Sequence, residues 1–212
     1  MSLVKVSGNA SGTGTLTIAA PNTNTDYTLT LPTATTTLVG TDAAQTLTNK
    51  TIQGGAITSG TAVASTSGTS IDFTSIPSWV KRVTVLFSNV STNGNSAFLI
   101  QIGSGSITST GYLSVSSYTG TGTGTTALTT TGFVMMHGSA GEAHSGTYSI
   151  CLLSGNAYVG SGAHGWTAGG TYAAVSGGNS SALSGALDRV RITTVGGVNT
   201  FDLGSINILY EG

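Results

Sequence analysis

The residues best placed for chemistry lie in one short stretch, MMHGSAGEAHSG, which holds two of the three histidines of the chain. Imidazole and carboxylate groups are ligands for transition metals, and His137, Glu142 and His144 would converge if this stretch folded back on itself. The spacing lacks the close His-x-His or Cys-x-x-Cys pair that marks a metal site. We therefore expect solvent-facing or hydrogen-bonded histidines here, with no bound metal and no cofactor.

The other acidic residues of the C-terminal region are scattered. Hydrolysis of a glycosidic bond needs two carboxylates that flank the bond, and no two of the acids form such a pair in the sequence. Asp188 is expected to form a surface ion pair with Arg189, and Asp202 to face outward from the last strand. The chain has no Gly-x-Ser-x-Gly nucleophile elbow. These patterns predict a protein that is not an enzyme.

Three glycine-rich loops offer groups suited to the recognition of a surface ligand: residues 91–96, 117–126 and 161–170. A sugar ring needs an aromatic platform with polar groups beside it, and these loops supply both. The candidate receptor-binding residues are Trp166, His164, Tyr118, Asn93 and Asn95. Packing of Trp166 and Tyr172 into the body or a neighbouring subunit is favoured over direct contact with a receptor.

Composition argues against several classes of protein. The 212 residues include 6 basic and 7 acidic side chains, which is 6% of the chain, against about 25% in typical domains. The net charge of −1 and the absence of a basic stripe disfavour a nucleic-acid partner. No apolar run approaches the roughly 18 residues that span a bilayer, and no signal peptide is visible. We expect no membrane insertion.

Alternation of apolar and polar residues predicts strands through most of the chain after Ile71. Val83, Val85 and Phe87 share one parity, and Phe98, Ile100 and Ile102 share another. In the last strand the inward set changes parity at Gly204–Ser205, which predicts a β-bulge. The residues of that set are Phe201, Leu203, Ile206, Ile208 and Tyr210. Eight or nine short strands in about 140 residues predict an all-β fold, an antiparallel β-sandwich of jelly-roll kind.

The distribution of aromatic residues divides the chain, because only Tyr27 of the 14 precedes Phe73. We expect an N-terminal attachment or shaft segment at residues 1–53, a Gly/Ser/Thr-rich neck at residues 54–70, and a β-sandwich knob at residues 71–212. The short N-terminal strands carry too few apolar groups to offset a backbone ordering cost of about 1–2 kcal/mol per residue. Identical chains wound together would supply the missing cover.

Two stretches carry a resemblance to a known family. The segment YTLTLPTATTTLVGTDAAQTLTNKTI, residues 27–52, is similar to one that recurs in tail fibres and related structural proteins of tailed bacteriophages. The body resembles the terminal domain of the same proteins, with IDFTSIPSWVKRVTVLFSNVS near its start and FDLGSINILYEG at its end. The resemblance implies a homotrimeric tail fibre or spike, located in the virion.

The same resemblance implies partners and leaves alternatives. Such a protein joins other virion proteins through its N-terminal segment and binds a host-surface glycan or protein through its knob. One alternative is a head fibre or capsid decoration protein without a receptor role. The other is a tailspike that degrades polysaccharide.

Overall fold

The computed structural model of the chain describes residues 11–15, 17, 22–26, 57–120, 124–167 and 170–212. The chain forms two compact units, Met1–Lys50 and Thr51–Gly212. In the first unit the described residues are exposed and lie in turns, bends or irregular structure. The short strands predicted in residues 1–53 lie almost wholly outside the described residues.

The second unit is built from strands, and its described residues include no helix. In chain order the strands are β1 (Thr58–Ser59), β2 (Val63–Ala64), β3 (Ile71–Thr74), β4 (Arg82–Thr92), β5 (Phe98–Ser104), β6 (Ser106–Ile107), β7 (Tyr112–Gly120), β8 (Thr126–Thr129), β9 (Phe133–Met135), β10 (His144–Ser154), β11 (Ala157–Thr167), β12 (Thr171–Ser180), β13 (Arg189–Thr194) and β14 (Phe201–Glu211).

The strands form two antiparallel sheets in a sandwich-like arrangement, which confirms the predicted fold class. The larger sheet has the order β1-β14-β4-β10-β11-β12-β7-β8, and β2 also pairs with β14. The smaller sheet has the order β3-β13-β5-β6, and β9 also pairs with β5. Strands β10, β11 and β12 are joined by consecutive hairpins. Residues that are distant in this part of the sequence therefore lie side by side on one face of the sheet.

The core lies between the two sheets and contains the alternating residues that the sequence selected. Val83, Val85 and Phe87 of β4 are buried, and so are Phe98 and Ile100 of β5. Strand β5 is buried along both faces except at its last residue. Burial of apolar side chains on facing strands is the main favourable term in the stability of such a fold.

The predicted β-bulge in the last strand is confirmed, and its geometry corrects the predicted orientation of one residue. The pairing of β14 with β4 shifts register between Phe201 and Leu203 and again between Leu203 and Ser205. Phe201 and Ile206 are buried, whereas Leu203 is 48% exposed. The bulge therefore begins two residues earlier than parity alone indicates, and it turns Leu203 outward.

Part of the expected neck lies along the body. Strands β1 and β2 pair with β14, at Tyr210 and Ile206 among other positions. Ser65 is buried, and its hydroxyl group donates a hydrogen bond of 2.7 Å to the carbonyl oxygen of Leu203. Strands β1 and β2 and Ser65 thus lie along the edge of β14 that does not pair with β4.

Two glycines allow strand β11 to pack under a large ring. A Cβ atom at Gly160 would lie 2.6 Å from Cε1 of Tyr148, and one at Gly162 would lie 2.6 Å from Cδ2 of the same ring. Tyr148 itself is fully buried. The glycine-rich sequence of β11 is therefore required by the close approach of the Tyr148 ring to the neighbouring backbone.

Candidate functional site

Three strands and one loop bring the histidines of the chain together at one end of the larger sheet. His137 follows β9, and the loop from Gly138 to Ala143 leads to His144, the first residue of β10. His164 lies on β11, which pairs with β10. In this pairing Trp166 lies opposite His144, so His164 is two residues along β11 from the residue opposite His144. All three histidines are buried. The histidine cluster is defined here as His137, Glu142, His144 and His164.

Short distances link the first three members of the histidine cluster. His137 Nδ1 lies 2.9 Å from His144 Nε2. One carboxylate oxygen of Glu142, Oε2, lies 3.7 Å from His137 Nδ1 and 3.6 Å from His144 Nε2. The same oxygen accepts a hydrogen bond of 2.9 Å from the backbone N–H of Gly138. The loop thus folds back and places three ligand-type atoms within 4.8 Å of one another.

The backbone partners of the histidines define their tautomers. His137 Nε2 lies 2.8 Å from the carbonyl oxygen of Gly94, which only accepts, so this nitrogen carries the proton. In neutral His137 the Nδ1 atom is then an acceptor, and it receives the hydrogen bond from His144 Nε2. His164 Nε2 donates to the carbonyl oxygen of Met136 at 2.9 Å. The Nδ1 atoms of His144 and His164 have no hydrogen-bond partner among the described residues.

Burial keeps these imidazoles neutral. The pKa of His137 is lowered by desolvation, which outweighs its hydrogen bond to Gly94 and the nearby Glu142 carboxylate. Desolvation also lowers the pKa of His144, and the neighbouring His137 and His164 lower it further. The pKa of His164 is lowered by desolvation as well. The three rings are therefore neutral near neutral pH.

Trp166 lies between two other rings on the inner face of the sheet. Strands β10 and β12 flank β11, so His144 and Tyr172 lie on opposite sides of Trp166. The ring centroids are 4.7 Å apart for His144 and Trp166, and 5.2 Å apart for the stacked Trp166 and Tyr172. Tyr118 contacts both Trp166 and Tyr172 edge-on. Trp166 is only 5% exposed, so neither of its faces is open to a sugar ring.

The residues selected for receptor binding therefore separate into two groups. Trp166 and His164 are buried and Tyr118 is half-buried, whereas Asn93 and Asn95 are exposed. Asn93 uses its side-chain oxygen to accept a hydrogen bond from the backbone N–H of Thr200. The prediction of loops at residues 117–126 and 161–170 is largely wrong, because β7 continues to Gly120 and β11 runs from Ala157 to Thr167, where these small residues pair with β12. Residues 121–123 and 168–169 lie outside the described residues.

An open polar groove of about 320 Å³ lies beside this ring stack. Its lining combines one edge of the rings with amide and hydroxyl groups, and it consists of Asn89, Ala143, Ser145, Gly165, Trp166, Thr171 and Tyr172. Tyr172, which lines the groove, was not among the residues selected from the sequence, although its position opposite Trp166 follows from the pairing of β11 with β12. Gly94 and Met136, whose carbonyl oxygens orient the histidines, were not selected either, because no side-chain signal marks a backbone acceptor.

Most of the described carboxylates of the body are paired with arginine. Asp188 accepts from Arg189 at 2.7 Å, which confirms the predicted ion pair. Asp72 accepts from Arg191 at 2.7 Å, and Glu211 pairs with Arg82. Asp202 is exposed, as predicted, and accepts a hydrogen bond from the hydroxyl group of Ser91.

The outer face of the larger sheet is unusual in having no charge over five strands. Between Val83 and Leu187 the only charged residue is Glu142, so β7, β8, β10, β11 and β12 contain none. Several large apolar side chains are exposed on this face: Leu113, Val115, Leu128, Val159 and Val175. The register places them close together, since Val115 lies opposite Leu128 and Val175 lies opposite Ser117 on the neighbouring strand. We call these five residues the apolar face.

No protein-family model, no curated protein and no solved structure matches this chain. The residues that the structure describes include no helix of the length and apolarity that a membrane crossing requires.

Proposed function

We propose that this chain is a non-enzymatic structural protein of a bacteriophage virion, a tail fibre or spike that assembles as a homotrimer and binds a host-surface receptor. The resemblance of residues 27–52 to tail-fibre segments is the reason for proposing this family. The observation that carries the proposal is the apolar face, because it gives the body a surface suited to contact with copies of itself.

Self-association through the apolar face follows from its chemistry. Leu128, Val175 and Leu113 are 67%, 62% and 56% exposed. Exposed apolar side chains that cluster on a monomer mark interaction surfaces. Copies of this face would meet without burying an unpaired charge, since none of its five strands contains a charged residue. A charged partner surface would have no counterpart here, which favours a second copy of this chain as the occupant.

The receptor role is supported by the polar groove. Tyr172 supplies aromatic surface, and Asn89, Ser145 and Thr171 supply amide and hydroxyl groups along the same groove. A neutral glycan presents matching hydroxyl groups and apolar ring faces. The groove suits such a ligand better than it suits an anionic one, because no basic residue lines it.

The mass of the protein in solution tests the assembly. We expect light scattering on a sizing column to give three times the chain mass of 21.0 kDa, about 63 kDa. Replacing Val115→Asp together with Val175→Asp should yield a folded monomer, because buried carboxylates without partners destabilise an interface. Val198→Asp is the matched control, since Val198 is exposed in the loop before β14. A monomeric wild-type chain, or a double variant that remains trimeric, contradicts the proposed assembly.

A further inference from the structure

Three atoms of the histidine cluster form a triangle of the size that a metal ion needs. Its sides are 2.9 Å, 3.7 Å and 3.6 Å, between His137 Nδ1, His144 Nε2 and Glu142 Oε2. The point equidistant from these atoms lies about 2.0 Å from each of them, which is close to the lengths of Zn–N and Zn–O bonds. We propose that this chain binds one divalent transition-metal ion, zinc in the first instance, through His137, Glu142 and His144.

The charge around Glu142 favours a cation at this position. The Glu142 side chain is buried, and among the described residues its ion-pair partners are the two histidines alone. No lysine or arginine occurs between Val83 and Leu187. A divalent cation would supply the positive charge that a buried carboxylate requires.

The surroundings of the ligand atoms resemble the outer shell of a metal site. His137 donates its Nε2 proton to the carbonyl oxygen of Gly94, so its Nδ1 lone pair points toward the other two ligand atoms. The Glu142 oxygen is oriented by the backbone N–H of Gly138. Such contacts fix the tautomer and the orientation of metal ligands in proteins.

Metal binding at His144 requires a change of tautomer that conserves protons. The Nε2 proton of His144, which is shared with His137 in the metal-free arrangement, moves to Nδ1. Nδ1 has no hydrogen-bond partner among the described residues in the metal-free arrangement. The two ligating nitrogens separate from 2.9 Å to about 3.3 Å, the spacing that follows from tetrahedral bonds of 2.0–2.1 Å.

The donor set defines the class of metal. Two imidazole nitrogens and one carboxylate oxygen suit zinc and its neighbours in the first transition row, whereas calcium and magnesium prefer sites made of oxygen atoms. Residues 138–141 of the connecting loop are exposed, which gives an ion a short path from solvent to the buried ligands. This inference is independent of the trimer and of the receptor.

Equilibrium dialysis of the untagged full chain against Zn²⁺, after treatment with a chelator, tests the proposal. We expect one zinc ion per chain, no retention of Mg²⁺ or Ca²⁺, and visible absorption bands of tetrahedral coordination when Co²⁺ replaces zinc. Glu142→Gln and His137→Asn should each weaken zinc binding by more than about 100-fold, because loss of a ligand exceeds the effect of losing an outer-shell contact. Cys151→Ser is the matched control, because Cys151 carries a ligand-type side chain far along β10 from His144, and this variant should bind zinc as the wild type does.

Several results would contradict the proposed zinc site. A wild-type chain that retains no zinc, or ligand variants that bind zinc with unchanged affinity, would overturn the proposal. If both ligand variants fail to fold by circular dichroism, the wild-type stoichiometry and the Co²⁺ spectrum decide, since a spectrum of octahedral coordination by oxygen alone would also overturn it.

Discussion

Tyr112 is a buried phenol whose hydroxyl group connects two backbone segments. The hydroxyl accepts from the backbone N–H of Ile102 at 2.9 Å and donates to the carbonyl oxygen of Thr108 at 2.9 Å. Burial raises the pKa of Tyr112 to about 12, against about 10 in an unfolded chain. The unfolded chain therefore loses this proton first as the pH rises.

This difference predicts a loss of stability in alkali. The contribution of Tyr112 is fully present below about pH 10 and is lost as the pH rises from 10 toward 12, by about 1.4 kcal/mol per pH unit. Urea unfolding at a series of pH values measures it. Tyr112→Phe should have a shallower alkaline loss, and at neutral pH it should be less stable by about 1–3 kcal/mol because Ile102 N–H is left unpaired. Equal alkaline slopes in the two proteins would contradict the assignment.

The side chains of the candidate site could be selected from the sequence, but their arrangement could not. His137, Glu142 and His144 were the metal candidates that the sequence offered. Their convergence depends on the conformation of the loop, in which the Glu142 carboxylate accepts a hydrogen bond from the backbone N–H of Gly138. Their orientation depends on the carbonyl oxygen of Gly94, which no residue type reveals. The ring of Trp166 is covered by partners from two neighbouring strands. Those partners follow from strand register, which polar, glycine-rich strands specify weakly.

Among the elements, β11 depends most directly on glycine. A Cβ atom at Gly162 would lie 2.5 Å from the carbonyl oxygen of Thr147 as well as 2.6 Å from the Tyr148 ring. Backbone atoms of a central strand do not move aside easily, so Gly162→Ala should destabilise the protein by about 1–3 kcal/mol. The free energy of unfolding in urea measures this loss.

A second glycine in the adjacent strand provides the control. At Gly177 of β12 the nearest atom to an added Cβ is 3.8 Å away, which is ordinary contact. Gly177→Ala should therefore be neutral or slightly stabilising, because alanine restricts the unfolded chain. If the two variants had the same free energy of unfolding, the close packing of the Tyr148 ring against β11 would be contradicted.

The positions of the strands could be predicted better than the orientation of every residue in them, because alternation reflects burial whereas a bulge is a backbone irregularity. The apolar parity of β4 and β5 follows from burial of one face and was visible in Val83, Val85, Phe98 and Ile100. The orientation of Leu203 could not be predicted, because two register shifts between Phe201 and Ser205 reverse the orientation that a regular strand would give it. A bulge of this kind is an irregularity of the backbone. The parity change and Gly204, whose φ is 92°, indicate that it exists but not where it begins.

At the scale of the whole molecule, charge is segregated. The described ion pairs between acidic residues and arginine involve residues at the two ends of the body sequence, Asp72 to Arg82 and Asp188 to Glu211, while the long middle region carries Glu142 alone. The groove and the apolar face both lie in that middle region. A trimer held by apolar contacts would present three neutral grooves on one particle. The strength of receptor binding would then depend on the number of grooves as well as on the affinity of each one.

This dependence gives separate predictions for assembly and recognition. On a surface of immobilised neutral host glycans, the monomeric Val115→Asp/Val175→Asp variant should bind more weakly than the wild type by about 10²–10⁴-fold, because avidity is lost while the groove is intact. Thr171→Arg should lose binding at an unchanged trimer mass, because a long charged side chain fills the groove. Thr110→Arg is its control. Thr110 is exposed just before the start of β7, whereas Tyr172 pairs with Gly120 at the end of β7. Equal binding by the trimer and the monomer would remove multivalency from the mechanism, and unchanged binding by Thr171→Arg would place the receptor site elsewhere on the body.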